Sequence, residues 1–142
     1  MRNERTSRRH AGALTAALLT SVVLTGCAPD RAIEQEIAGQ RASYDISATT
    51  LYKRYSDNQI NADSKYKGKV LLVSGTVART EKQFSGAMAV TLKANDIGTG
   101  VQCLFSRDRA YDAEKLKGEI TVKGKCDGWN MGVVLRGCKV VE

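Results

Sequence analysis

The run Tyr66-Lys67-Gly68-Lys69-Val70-Leu71-Leu72-Val73-Ser74-Gly75-Thr76-Val77 constrains the fold more than any other stretch of this 142-residue chain. Val, Leu and Thr dominate it, and Gly75 interrupts it. An interior glycine in a strand marks a bulge or a bend, because no Cβ clashes when the backbone coils. A long first strand bent at a glycine is how a small barrel begins. The residues after it are expected to form further strands closing on this one. The residues before it are expected to be an export signal, a tether and one packing helix.

The N-terminus carries Arg2, Arg5, Arg8 and Arg9, then an apolar and small-residue run from Ala11 to Leu24. That run is too short to span a bilayer permanently and has the form of a secretory signal. It ends in Leu24-Thr25-Gly26-Cys27, the pattern of a bacterial lipobox: an aliphatic residue, two small residues and a cysteine. Residues 1–26 are therefore read as a lipoprotein signal peptide and Cys27 as the lipidated mature N-terminus. Several acyl chains make such an attachment stable, since each buried methylene contributes about 0.8 kcal/mol. Residues 27–44 have little apolar content and read as a lipidated tether, with a short helical turn around Ile33–Ile37. Ala28 follows the cysteine where an Asp would be a retention signal, so by resemblance to enterobacterial sorting rules the outer membrane is favoured over the inner. Removing residues 1–26 takes away four Arg and one Glu, and the formal charge falls from +7 to +4. Mild basicity of that size describes an ordinary solvated surface better than a dedicated anion site.

From residue 45 to residue 142 the pattern is that of one domain. Ile46–Asn58 is expected to be helical, with Ser47 as N-cap and an apolar stripe of Leu51 and Tyr55. Asn58, Asn61, Asp63 and Ser64 should break that helix. Five strands are then expected: Gly68–Arg79, Ala87–Lys93, Thr99–Phe105, Glu119–Cys126 and Val133–Val141. Turns are expected at Glu81–Gly86, Asn95–Gly98 and Asp127-Gly128, and a short helix over Asp108–Leu116, ending at Gly118. A mainly β chain with a helix, three meandering strands, a second helix and two more strands has the layout of a five-stranded OB-fold, a Greek-key barrel. An SH3-like barrel is the competing layout, and the helix after the third strand argues against it.

Several pieces recur in the order found in one family: Leu51…Tyr55…Asn58, Ala62-Asp63…Tyr66-Lys67-Gly68-Lys69, Val73-Ser74-Gly75-Thr76-Val77, Gly100-Val101-Gln102-Cys103…Phe105, Leu116-Lys117-Gly118, Val122-Lys123-Gly124-Lys125-Cys126 and Leu135-Arg136-Gly137-Cys138. From Ile46 to Val141 the chain resembles the bacterial tRNA-anticodon-like OB-fold family, small exported proteins often called OB-fold lipoproteins. The resemblance implies the fold. It implies no activity that could be carried to particular residues, and the family name is not evidence of tRNA binding.

The chemistry of the residues narrows the function further. The mature chain has no His, because His10 lies in the signal, and it has no C-x-x-C, so neither a metal site nor a cofactor is expected. No Gly-x-Ser-x-Gly and no suggestively spaced carboxylate pair points to catalysis. Of the three remaining cysteines two should pair in an oxidising compartment. Cys126–Cys138 is the favoured pair and closes an 11-residue hairpin loop, which is worth about 3 kcal/mol; Cys103–Cys138 competes, and strand register decides. A nucleic-acid OB-fold needs aromatics on the barrel face and a basic groove. The barrel region has few aromatics, and its Lys and Arg residues alternate outward as on any half-buried strand, so nucleic acid is not an expected partner. The loops between strands one and two and between strands four and five flank the ligand face of such a barrel. They supply Lys82, Phe84, Trp129, Asn130 and Met131 as candidate contact residues. The expected function is a non-enzymatic, lipid-anchored envelope module that contacts a protein or an envelope glycan. A structural or exclusion-type envelope lipoprotein of mobile-element origin is the alternative.

Overall fold

The computed structural model describes residues 29–142, so the expected signal peptide and Cys27 lie outside the described residues. In chain order the elements are α1 (Pro29–Ile37), β1 (Tyr44–Ser47), α2 (Ala48–Asp57), α3 (Gln59–Tyr66), β2 (Val70–Lys82), β3 (Met88–Lys93), β4 (Gly100–Phe105), a turn of 3-10 helix (Arg107–Arg109), α4 (Ala110–Glu114), β5 (Glu119–Trp129) and β6 (Val133–Val141).

The apolar run that opens the domain becomes β2, a single strand of 13 residues. Its first half, Val70–Thr76, pairs antiparallel with β5, and its second half, Val77–Lys82, pairs antiparallel with β3. One strand thus serves two neighbours, which requires it to coil. The ladder slips between Val77 and Arg79, so Ala78 is the extra residue of a bulge. Gly75 lies just before that slip and does a different job. A Cβ there would come within 2.9 Å of the Ala48 Cβ and 3.2 Å of the Leu92 Cβ. The missing side chain therefore lets the start of α2 sit directly on the sheet, and the irregularity falls three residues later.

Strand order is β1-β2-β3-β4-β6-β5, and the β2–β5 pairing closes β2 through β6 into a barrel. β4 and β6 run parallel, and the other barrel pairs are antiparallel. This is the expected OB-fold, with β1 added as a sixth strand parallel to β2. The core is built from inward positions two residues apart, as the pleat demands. Val73, Val90, Leu92, Val101, Cys103, Val122 and Leu135 are all fully buried. α2 and α3 cap one pole of the barrel with Leu51, Tyr55, Ala62 and Tyr66. α4 closes the other with Ala110 and Ala113, joined by Leu116 just after it.

Several boundaries moved for local reasons. Ser47 is the N-cap as expected, its Oγ accepting from the Thr50 amide at 3.2 Å, but Ile46 before it is strand, not helix. The polar stretch expected to end the helix starts another one instead. The Asn58 side chain accepts from the Asn61 amide at 3.0 Å, so the asparagine caps α3 rather than breaking the chain into coil. β5 runs through Asp127-Gly128, where a turn was expected, and absorbs Asp127 in a second bulge between Cys126 and Gly128.

The largest departure lies in the stretch expected to be a tether. Residues 29–37 form α1, which lies on β6 with Ile37 only 2% exposed. The contact needs Gly137: a Cβ there would meet the Glu34 amide nitrogen at 2.6 Å, and its φ of 62° suits glycine. Ion pairs frame the helix. Glu34 pairs with Arg109 at 2.9 Å and accepts from Ser106 at 3.1 Å, Arg31 pairs with Asp108 at 3.0 Å, and Glu36 pairs with Lys125 at 2.8 Å.

Candidate functional site

The two expected contact loops survive and sit at opposite poles. The β2–β3 loop is a tight turn: the Gln83 amide donates to the Ala87 carbonyl at 2.8 Å, and the Gly86 amide donates to the Gln83 carbonyl at 2.9 Å. It adjoins the Lys82–Met88 pair, and Met88 lies opposite Phe105 at the far end of β4. The β5–β6 loop is tighter still, closed by the Asn130 amide on the Gly132 carbonyl at 2.7 Å. It adjoins Val133, which pairs with Val101 at the near end of β4. Four residues of strand, about 13 Å, therefore separate the two loop levels. The structure does not bring Lys82 and Phe84 together with Trp129, Asn130 and Met131; it places them at the two ends of one strip.

Each loop tip carries a bare apolar side chain. Phe84 is 113% exposed and Met131 91%, the two highest values among large hydrophobics of the described residues. Met131 also has φ 57°, the only non-glycine in the left-handed region among the described residues. A side chain with a Cβ is held there at a cost of order 1–3 kcal/mol, so the surroundings must impose it. The Asn130–Gly132 hydrogen bond closes the loop around it, and Trp129, two residues earlier, is anchored below. Its ring is only partly exposed and lies 5.2 Å from Tyr52 and 6.2 Å from Tyr55, stacked nearly parallel on the latter. Tyr52 is fixed in turn by the Thr99 hydroxyl at 3.2 Å. Trp129 is thus half of a buttress, and Met131 is the residue presented.

The strip between the loops is formed by outward positions of β2, β3, β4 and β6. Ala89 lies opposite Glu81 and Leu104, Thr91 opposite Arg79 and Gln102, and Val134 opposite Gln102. None of these is aromatic. Arg79 is tied to Glu81 at 3.5 Å, and Arg136 to Asp127 at 2.7 Å. Base stacking needs exposed rings on this face and phosphates need unpaired cations; Ala89, Thr91 and Val134 are themselves buried, and the side chains that reach the surface here are Gln102, Leu104 and the paired Arg79 and Glu81.

Cys103, Cys126 and Cys138 are free thiols and all buried. The expected Cys126–Cys138 bridge is corrected by the register. Cys126 lies opposite Leu135, three residues short of Cys138 and roughly 10 Å along the strand, past the ~7 Å reach of a disulfide. Cys126 instead meets the Tyr55 hydroxyl at 3.4 Å. Cys138 turns inward beside Cys103, where a Cβ on Gly124 would lie 2.9 Å from its sulfur. Burial pushes the Cys126 thiol up, and burial together with the neighbouring Cys103 pushes Cys138 well up. The Tyr55 phenol is also raised, chiefly by burial and then by Cys126. All three sulfurs belong to the buried core of the barrel. Asp63, singled out as a turn residue, lies in α3 with its Oδ1 shielded and without a hydrogen-bond partner.

Among the described residues no three His, Cys, Asp or Glu side chains converge as a metal would require, and no helix is long and apolar enough to cross a membrane. An open cleft of about 780 Å³ runs beside α1, lined in part by Arg31, Glu34, Arg109, Lys123 and Lys139. Glu34 and Arg109 neutralise each other across it, and Arg31 is held by Asp108.

The sequence profile of the tRNA_anti-like family matches residues 3–140, nearly the whole chain. The chain belongs to the tRNA_anti-like family. Among solved structures, this tRNA_anti-like chain is similar to a Klebsiella pneumoniae subsp. pneumoniae protein described as a "putative nucleic acid-binding lipoprotein", at 21% identity and a TM-score of 0.57, over 76% of this chain and 97% of that one. At that identity the likeness shows the shared fold. A weaker match is to the S. pombe Stn1–Ten1 complex, at 14% identity and a TM-score of 0.36, over 51% of this chain and 58% of that one. No curated protein sequence matches.

What sequence reasoning missed is Tyr52 as a partner of Trp129. The signal was Tyr52 itself, three residues before the stripe residue Tyr55; Tyr55 is buried in the core, while Tyr52 stands beside the loop.

Proposed function

We propose that this tRNA_anti-like chain is a non-catalytic, lipid-anchored binding module of the bacterial cell envelope, attached through Cys27 and facing the periplasm. Its β5–β6 loop contacts an envelope protein or glycan. The observation that carries the reading is Met131: a left-handed, 91% exposed apolar residue two positions beyond Trp129, which packs against Tyr52. A strained backbone that fixes an apolar side chain in water has no packing benefit in the free domain, and exposed apolar loop tips beside rigid aromatics are the anchors of interfaces. The lipobox Leu24-Thr25-Gly26-Cys27 supports the anchor, and Ala28 supports sorting to the outer membrane. The absence of aromatics from the strip between the loops weighs against nucleic acid as the ligand.

Two measurements test this. Cys27→Ser is expected to move the protein from the membrane to the soluble periplasmic fraction; unchanged fractionation removes the anchor. A photoactivatable residue at Met131 is expected to give a discrete adduct in intact cells, protease-sensitive for a protein and resistant for a glycan, with none from the same residue at exposed Ile60. Strongly salt-dependent binding of single-stranded oligonucleotide by the wild-type chain would replace this reading with the nucleic-acid one.

A further inference from the structure

The β2–β3 loop has an exposed aromatic tip, yet contact through the β5–β6 loop makes no use of it. Its position along the chain suggests an occupant. Cys27 precedes Pro29 by two residues, and an extended chain spans at most about 3.6 Å per residue, so an acylated Cys27 lies within roughly 7 Å of the start of α1. From there a line of polar contacts leads to the loop. Arg31, in the first turn of α1, pairs with Asp108 at 3.0 Å. The adjacent Arg107 reaches the loop: its Nε donates to the Ser85 carbonyl at 2.9 Å, and its terminal nitrogen donates to the same oxygen. Phe84 is the next residue back. The anchor and the exposed phenylalanine therefore belong to the same end of the domain.

We propose that the β2–β3 loop is a membrane-contact surface, in which Phe84 enters the interface of an anionic bilayer beside the lipid anchor. The inference rests on the lipoprotein reading. The loop suits the role because it is ordered before contact. Gly86, at φ 83°, closes the turn, the Gln83–Ala87 and Gly86–Gln83 hydrogen bonds brace it, and Arg107 holds it against the body of the domain. Phe84 is 113% exposed, so insertion breaks no contact. Tyr111 on α4 is a second exposed ring at this pole, 69% exposed, with the Lys115 ammonium 3.8 Å above its centroid. An amphipathic ring beside a lysine is the pairing found at membrane interfaces. Lys82 and Arg107 flank Phe84 on the exposed side. Of the acids nearby, Glu81 is neutralised by Arg79 and Asp108 by Arg31, while Asp112 and Glu114 stay on the solvent side of α4 as opposing charges. The local balance is modest, so the rings supply most of the attraction and the cations orient the domain.

The test uses the full chain, exported with its own signal, purified and reconstituted into vesicles of phosphatidylethanolamine and phosphatidylglycerol. Trp129 is the sole tryptophan and lies at the other pole, so the wild-type chain supplies the baseline. In Phe84→Trp, bromine-labelled acyl chains are expected to quench and blue-shift the added indole, which should sit about 5–10 Å into the headgroup–acyl boundary. Trp129 should stay accessible to aqueous iodide. Tyr111→Trp should behave like Phe84→Trp. An added indole at residue 84 that iodide quenches and bromine does not would overturn the inference, provided the intact mass shows the acyl chains on Cys27. An intact mass without acyl chains would instead overturn the lipoprotein reading and this inference with it.

Discussion

Replacing Gly137 by Ala tests the docking of α1, the feature least visible in the sequence. The substitution has two separable costs. The first is conformational: an L-residue at φ 62° costs about 1–2 kcal/mol. The second is steric. The new Cβ would stand 2.6 Å from the Glu34 amide nitrogen and 2.9 Å from the Ile33 carbonyl carbon, both backbone atoms that cannot rotate away. Relief requires α1 to lift from β6. Lifting exposes Ile37, whose full burial is worth about 1.5–3 kcal/mol. It also loosens ion pairs that are each worth roughly 0–1 kcal/mol at a surface. Together these predict a loss of about 3–5 kcal/mol for Gly137→Ala, a large share of the 5–15 kcal/mol that stabilises a domain. Gly98→Ala is the control. Gly98 has φ 80° with nothing within 4 Å of its Cβ position, so it carries the conformational cost alone, about 1–2 kcal/mol. Urea melts of both variants, read by far-UV circular dichroism, give the difference, and amide exchange locates it. Residues 31–37 should lose protection in Gly137→Ala and keep it in Gly98→Ala. Equal midpoints for the two variants, or protected α1 amides in Gly137→Ala, would refute the docking.

Leu135→Ala, at a fully buried inward position of β6, should cost about 2–5 kcal/mol in the same melt; under 1 kcal/mol would mean the barrel interior is not packed there. Ser47→Ala removes the cap on α2 and should cost about 1 kcal/mol, with Ser47→Asp retaining most of the stability; an equal loss in both would place the effect outside the cap. The raised Cys126 and Cys138 thiols set a pH dependence. The folded chain keeps protons that the unfolded chain releases above about pH 8.5, so this stability is full below that pH and falls as pH rises. A urea midpoint that holds constant or rises from about pH 8 to about pH 10 contradicts the raised thiols.

The strands were legible because their signal is local. Val133–Val141 is rich in valine and follows the turn residues Asn130 to Gly132, and its limits match the structure to the residue. The OB order followed from the strand count and the helix after the third strand. What the sequence hid depends on long-range register. The Cys126–Cys138 expectation turned on the β5–β6 register, and slips between Lys123 and Lys125 and between Cys126 and Gly128 leave Cys126 opposite Leu135, with Cys138 beside Cys103 instead. Bulges leave little trace in composition, and each one moves every later pairing by a residue. α1 was hidden for another reason. Its stretch is poor in apolar residues, and its docking depends on Gly137, near the opposite end of the chain, and on partners such as Arg109 and Lys125 that no local window includes. For the candidate site, the tips Phe84 and Met131 were readable as loop residues, while their separation to opposite poles needed the β4 register.

That separation organises the functional proposal. In an OB-fold ligand cleft both loops would close on one molecule, and the strip between them would carry the recognition. Here the strip carries no aromatic ring, its flanking charges are paired internally, and the rings lie elsewhere: Tyr52, Tyr55 and Trp129 under one loop, Phe84 on the other, Tyr111 near it. A single oligonucleotide crossing the strip would meet no stacking platform until it reached an end. Two separate contacts, one at each pole, use the same residues without that difficulty. In the proposed arrangement, an anchor on Cys27, within about 7 Å of α1, turns the pole carrying Phe84 to the bilayer and the pole carrying Met131 away from it, toward whatever the module binds. The docked α1 then matters mechanically. A free tether would let the barrel tumble and average the two poles, whereas a helix fixed on Gly137 and tied to Asp108 and Arg109 holds the orientation. Undocking α1 in Gly137→Ala should therefore weaken the Met131 adduct in cells even though residue 131 lies at the far end of the barrel, an effect that a direct contact role for Gly137 cannot produce.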